Sequence, residues 1–117
     1  MRILILDDDD DRQKIFRQKL IGHEVVQTST VKSTIQHLIE STWQYLFLDH
    51  DLGGQTYVKS GKDTGYEVAQ WLEAHPGRQP KNIIIHSFNS VGAQNMASLL
   101  PTATICPGAW NNIIIEV

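Results

Sequence analysis

Four aspartates sit where two apolar runs stop: Asp7 and Asp8 follow Ile3-Leu4-Ile5-Leu6, and Asp49 and Asp51 follow Tyr45-Leu46-Phe47-Leu48. Carboxylates brought together from separate segments repel and raise one another's pKa, and a hard divalent cation with oxygen ligands removes that penalty. Asp7, Asp8, Asp49 and Asp51 are therefore the candidate ligands of Mg²⁺ or Mn²⁺. A third apolar run, Asn82-Ile-Ile-Ile85, ends in His86-Ser87-Phe88-Asn89, with Gly92 close behind at the expected start of a helix. Ser87, Asn89 and the amides around Gly92 are suited to phosphate oxygens. His86, and His50 between the two aspartates of the other run, can each bind a metal or move a proton near neutral pH. Arg12 lies within reach of an anion if its helix opens beside Asp7. Asp9, Asp10 and Asp11 read as a helix cap and a solvated acidic face.

These residues meet only if the runs are neighbouring strands. Arg2 to Leu6 reads as a strand buried on both faces, followed by a helix from about Asp10 to Leu20 with Ile15, Phe16 and Leu20 inward. Glu24 to Thr28 is a second strand. Ser29 or Thr30 caps a helix whose Val31, Ile35, Leu38 and Ile39 share one face. After the third strand, Tyr45 to Leu48, the stretch to Asp63 lacks apolar periodicity, and loops of that length often carry function. Tyr57 and Tyr66 lie on or beside it, where an aromatic ring either packs or stacks on a base. A helix over Thr64 to Ala74 turns Val68, Trp71 and Leu72 inward. The fourth strand is Asn82 to Ile85, the fourth helix runs from about Val91 to Leu100, and Ala103 to Cys106 is a short fifth strand. Alternation of this kind predicts an α/β fold: a three-layer, doubly wound, parallel five-stranded sheet in the order 2-1-3-4-5, with a truncated or irregular last helix. In that order the ligand crevice opens between strands one and three, the two that end in acids. The β-branched segment from Trp110 to Val117 is expected to fold back as an edge strand or to pack against a second copy as a homodimer.

The chain has 117 residues, enough for one domain spanning 1–117, and 41% hydrophobic content, enough for a core. The five consecutive aspartates from Asp7 localise the acidity, so the net charge of −3 says little about partners. No basic cluster suggests tracking of long nucleic acid, and no segment is long enough to cross a membrane. A single cysteine, Cys106, fits a reducing, cytoplasmic setting and makes no CxxC motif. Gly53, Gly54, Gly61 and Gly65 read as loop and turn glycines and form no phosphate-binding signature. His23, His37 and His75 fall on a turn or on helix surfaces.

Leu6-Asp7-Asp8 and Leu48-Asp49 resemble the acidic pair and the phosphoacceptor strand end of a two-component receiver domain. The lysine that precedes a proline at the end of a receiver's fifth strand is replaced here, where the pair reads Cys106-Pro107. Leu48-Asp49-His50-Asp51-Leu52 and His86-Ser87-x-Asn89 followed by Gly92-Ala93 resemble more closely the receiver-derived family of cyclic-phosphate processing receiver domains. The resemblance implies a metal-dependent phosphoesterase acting on cyclic phosphates of RNA ends or small cyclic nucleotides. In it Asp7, Asp8 and Asp49 carry the metal, Asp51 lines it, and His50, His86, Ser87 and Asn89 handle the phosphate. The alternative is a non-catalytic pseudo-receiver that docks a protein partner.

Overall fold

A computed structural model describes residues 1–111 and 113. Five parallel strands, β1 (Arg2–Leu6), β2 (Glu24–Thr28), β3 (Tyr45–Leu48), β4 (Asn82–Ile85) and β5 (Thr104–Ile105), stand in the order β2-β1-β3-β4-β5. The four crossovers carry α1 (Asp10–Lys19), α2 (Val31–Glu40), α3 (Gly65–Ala74) and α4 (Ser90–Leu99). This is the doubly wound order expected from the alternation, and β1, β3 and β4 match their predicted limits. β5 is two residues long rather than four, and both of its residues are exposed.

Strand pleating divides the core. Leu4, Leu6, Leu46, Leu48, Ile83 and Ile85 face α2, α3 and α4. Ile3, Ile5, Tyr45 and Phe47 face the other way, where α1 contributes Phe16 and Leu20, and a 3₁₀ turn at Ala109–Asn111 contributes Ala109 and Trp110. Three helices therefore cover one face, while one helix and a single turn cover the other. That turn stands where a fifth helix would complete the layer. Through Asn111 the chain is thus a turn packed on the sheet face, not the predicted edge strand; residues 112 and 114–117 of that expectation lie outside the described residues.

Each helix begins at a side-chain cap, which satisfies amides that have no partner within the helix. Asp9, Thr30, Thr64 and Asn89 accept from the backbone N–H of Arg12, Ser33, Tyr66 and Gly92, respectively. Two inward faces differ from expectation. On α2, Thr34 is buried and Ile39 is 46% exposed, because the Thr34 hydroxyl finds partners in Thr30 O (2.8 Å) and Thr28 Oγ1 (2.7 Å), so a polar group can take the inner position. On α3, Ala69 is buried in the core while Trp71 is only partly so and stacks on His75 at 4.2 Å. Among the described residues, no helix is long and apolar enough to cross a membrane.

Candidate functional site

The carboxyl ends of β1, β3 and β4 lie side by side, so the residues that leave them surround one crevice. Its cavity, about 310 Å³, is lined by Asp8, Asp9, Arg12, Asp49, Asp51, His86, Ser87 and Asn89, together with Gly54 to Tyr57, Phe88 and Trp110. Asp7 lies beneath, fully buried.

Asp7 is the most densely bonded group of the site. Arg12 Nε and Nη2 each donate to one of its carboxylate oxygens at 2.8 Å, His86 Nε2 lies 2.9 Å from Oδ2, and the Asp9 amide donates to Oδ1 at 2.9 Å. Burial alone would raise the Asp7 carboxyl, but the hydrogen bonds from His86 and Arg12 outweigh it and hold the pKa at about 2. An ionised carboxylate only accepts, so His86 Nε2 carries the hydrogen between them. His86 Nδ1 is buried and has no hydrogen-bond partner among the described residues. The ring is held edge-on against Phe16 (5.3 Å) and Trp110 (5.7 Å).

Asp49 is less well compensated. Its Oδ1 accepts from the His50 amide at 2.9 Å, and its Oδ2 from Arg12 Nη2 at 3.3 Å. Burial, reinforced by the charge of Asp7, pushes this carboxyl up to about 6 against the pull of His86 and Arg12. Asp7, Asp49 and His86 offer ligand atoms within 4.8 Å of one another, the spacing of a metal-binding group. The set fits a divalent cation: Asp49 is short of positive charge, and the carboxylates are hard donors. An imidazole nitrogen suits Mn²⁺ better than Mg²⁺. Asp8 stands at the rim, where its Oδ2 accepts from the Gly54 amide and fixes the start of the long loop.

Arg12 is far from the solvated arginine that a first-turn position suggests. Its guanidinium lies across Asp7 and Asp49 and 5.1 Å above the Trp110 ring. Hydrogen bonding to Asp7 pushes its pKa further up, so the charge is permanent. Nη1 lies 3.7 Å from Asp9 Oδ2, beyond hydrogen-bonding distance, and so is the guanidinium nitrogen not engaged by an acid.

Several predicted phosphate-handling residues are engaged elsewhere. His50 is fully buried, with Nδ1 2.7 Å from Asp51 Oδ1 and Nε2 2.8 Å from Ser60 Oγ. It does not line the crevice, and neither ring nitrogen is open to a substrate. Gly92 lacks a free amide, since its N–H caps onto Asn89 Oδ1 at 3.0 Å. Its missing side chain is what matters, because a Cβ there would stand 2.5 Å from the His50 ring. Gly65, read as a turn glycine, is likewise a close-approach residue: a Cβ would stand 1.8 Å from the carbonyl oxygen of Asp49. Asn89 is committed to a structural hub, with Nδ2 donating to Asp51 Oδ1 and Val58 O at 3.0 Å. Asp51 is held below the ordinary carboxylate range because bonds from Asn89 and His50 outweigh burial, and it accepts the Tyr57 amide. Asp51 therefore fixes the loop and stands outside the cluster of Asp7, Asp49 and His86. Ser87 lines the crevice, and its Oγ accepts from the Asn89 amide at 3.1 Å. Trp110 and Phe88 escaped sequence reasoning: one lies in a segment without periodicity, and the other is an apolar residue inside a polar motif.

A family model described as the cyclic-phosphate processing receiver domain matches residues 2–102. No curated protein matches the chain. Among solved structures, the chain is similar to the phosphorylated cyanobacterial phytochrome response regulator RcpA, at 15% identity and a TM-score of 0.73, covering 96% of this chain and 84% of that one. It is similar to the response regulator TrrA from Thermotoga maritima in complex with Mg²⁺ and BeF, at 15% identity and a TM-score of 0.70, covering 96% and 91%. A CheY-like receiver domain from Methylobacillus flagellatus aligns at 13% identity and a TM-score of 0.67, covering 98% and 88%. At such identities these are likenesses of fold.

Proposed function

The chain belongs to the cyclic-phosphate processing receiver domain family, and from that membership we propose that its crevice opens a cyclic phosphodiester, at an RNA 2′,3′-cyclic end or in a small cyclic nucleotide. The observation that carries the reading is the convergence of Asp7, Asp49 and His86 within 4.8 Å beneath an arginine supplied by α1. A receiver draws its phosphoryl-sensing cation from the end of β5, where this chain has the exposed Cys106. Here the fixed positive charge comes from the opposite side of the crevice.

Asp7 and Asp49 would hold a divalent cation, with Asp8 at the rim and His86 beside them. Such an ion, Mg²⁺ or Mn²⁺, neutralises phosphoryl charge and lowers the pKa of a bound water. Arg12 Nη1 donates to a non-bridging phosphoryl oxygen, while Nε and Nη2 stay on Asp7, so the clamp is held rigid before the substrate arrives. In the reaction a water oxygen bonds to phosphorus and its proton passes to His86, one ring P–O bond breaks, and the released sugar oxygen takes a proton from the same imidazole. His86 is the crevice histidine and holds that proton; His50, sealed behind Ser60 and Gly92, is not available for it.

The test is incubation of the protein with a short RNA ending in a 2′,3′-cyclic phosphate, with Mg²⁺, Mn²⁺ or a chelator. Metal-dependent conversion to a phosphomonoester by the native chain, lost in Asp49→Asn, is the expected result. Absence of conversion by folded protein with either ion overturns the catalytic reading. It would favour a pseudo-receiver that docks a protein, in which the bidentate pairing of Arg12 with Asp7 serves the fold alone.

A further inference from the structure

We infer that Tyr57 and Phe88 form a stacking clamp for a nucleobase at the mouth of the crevice, so that the cyclic phosphate is recognised through the nucleoside that carries it. This inference rests on the crevice being the phosphate site.

Three observations carry it. First, both rings line the same cavity as Arg12 and Asp49, yet they are among the most exposed apolar side chains of the molecule, Tyr57 at 75% and Phe88 at 59%. Core packing therefore does not account for either. Phe88 is steadied edge-on against Trp110 at 5.3 Å, with its ring tip near Gly108.

Second, Tyr57 is held in a conformation that a tyrosine rarely adopts. Its φ is +53°, in the left-handed region that favours glycine. The hydrogen bond from its amide to Asp51 Oδ2 keeps it there, and Asp51 is itself fixed by His50 and Asn89. Strain kept by a rigid network, for a ring that packs against little, points to a ligand.

Third, the charge balance is wrong for recognising a phosphate by charge alone. Asp8, Asp9, Asp49 and Asp51 line the cavity against the one guanidinium of Arg12, and a divalent cation held there would still leave the acids in excess. A cyclic diester carries a single negative charge and is tolerated better there than a dianionic monoester. Most of the grip must then come from an uncharged part of the ligand, and stacking on an aromatic face serves any base. The product, a monoester with a second charge, would be held less well and released.

The experiment compares uridine and adenosine 2′,3′-cyclic phosphates with glycerol 1,2-cyclic phosphate, which has the strained ring and no base. Binding is measured by calorimetry and opening by phosphorus NMR. The native protein should prefer the nucleosides by about tenfold or more, with adenosine ahead of uridine. Tyr57→Ala with Phe88→Ala should bring the preference close to one, the loss falling on KM. Tyr57→Phe with Phe88→Tyr should restore it, which separates stacking from a general disturbance of the loop. Equal handling of all three compounds by the native chain overturns the clamp and leaves the reaction standing. Nucleoside binding without opening overturns the reaction and leaves the clamp standing; binding of none of the three overturns both.

Discussion

His50 and His86 are two fully buried histidines at neighbouring strand ends, and they have opposite consequences. Around His50 every polar atom is answered: Asp51 and Ser60 take the ring nitrogens, and Asn89 ties the same carboxylate to α4. Around His86 the account is left open, with one nitrogen on Asp7 and the other without a partner among the described residues. A satisfied buried network fixes backbone, whereas an incompletely satisfied one beside the poorly neutralised Asp49 retains capacity for a ligand. Burial alone therefore does not sort a fully bonded histidine from one with a nitrogen to spare.

The largest expected effect separates these two regions directly. His86→Ala or Asp49→Asn should lower the rate of cyclic-phosphate opening by about 100-fold or more, the scale of a lost proton-transfer or charge-stabilising group. His50→Gln should cost far less in rate, and equal losses in single-turnover assays would erase the distinction. Next comes stability on the closed side. Gly65→Ala and Gly92→Ala force a methyl into backbone or ring atoms and should each destabilise by about 3 kcal/mol, at the upper end for overpacking. Urea midpoints unchanged from native would show that α3 and α4 can withdraw from His50.

A smaller effect, about 2 kcal/mol, concerns charge on the open side. In chelator, Asp49 binds its proton more tightly folded than unfolded, so its contribution weakens the fold as pH rises from about 4 through 6. Asp7 works in the opposite sense, and its stabilisation, present above about 4, is lost as pH falls toward 2. Metal-free native protein should therefore lose stability between pH 4 and 7, and Asp49→Asn should flatten that slope; a slope that survives the substitution assigns it to another group. Adding Mn²⁺ should restore stability to the native chain and not to Asp49→Asn. Last, Asp10→Ser should change stability by no more than about 0.5 kcal/mol, as for an exposed residue without partners. A larger shift in thermal midpoint would show that the acidic run reaches beyond its cap.

The convergence of Asp7, Asp49 and His86 was legible because strand ends in a doubly wound sheet have only one place to go, and continuous apolar runs marked three of those strands. Alternation along β3 also turned His50 away from Asp49. The inward commitments of Asp51 and Asn89 were not legible, since they depend on where Tyr57, Val58 and Ser60 return. A polar loop without periodicity carries no local record of that path. Gly92 was assigned an amide role by its place near a helix start, whereas its function is steric and set by a residue about forty positions away. Arg12 and Trp110 were missed as a pair because each becomes informative only when the 3₁₀ turn brings the indole beneath the guanidinium.

That pairing gives the molecule an optical gauge. Of its three tryptophans, Trp43 lies under Arg2 and Trp71 stacks on His75, both away from the crevice. Trp110 alone lies against a cation that also grips Asp7 and Asp49. Whatever draws Arg12 from Asp49, a metal ion or a phosphoryl oxygen, alters the electric field across that indole. Filling the crevice should therefore change the ultraviolet fluorescence of the unlabelled chain.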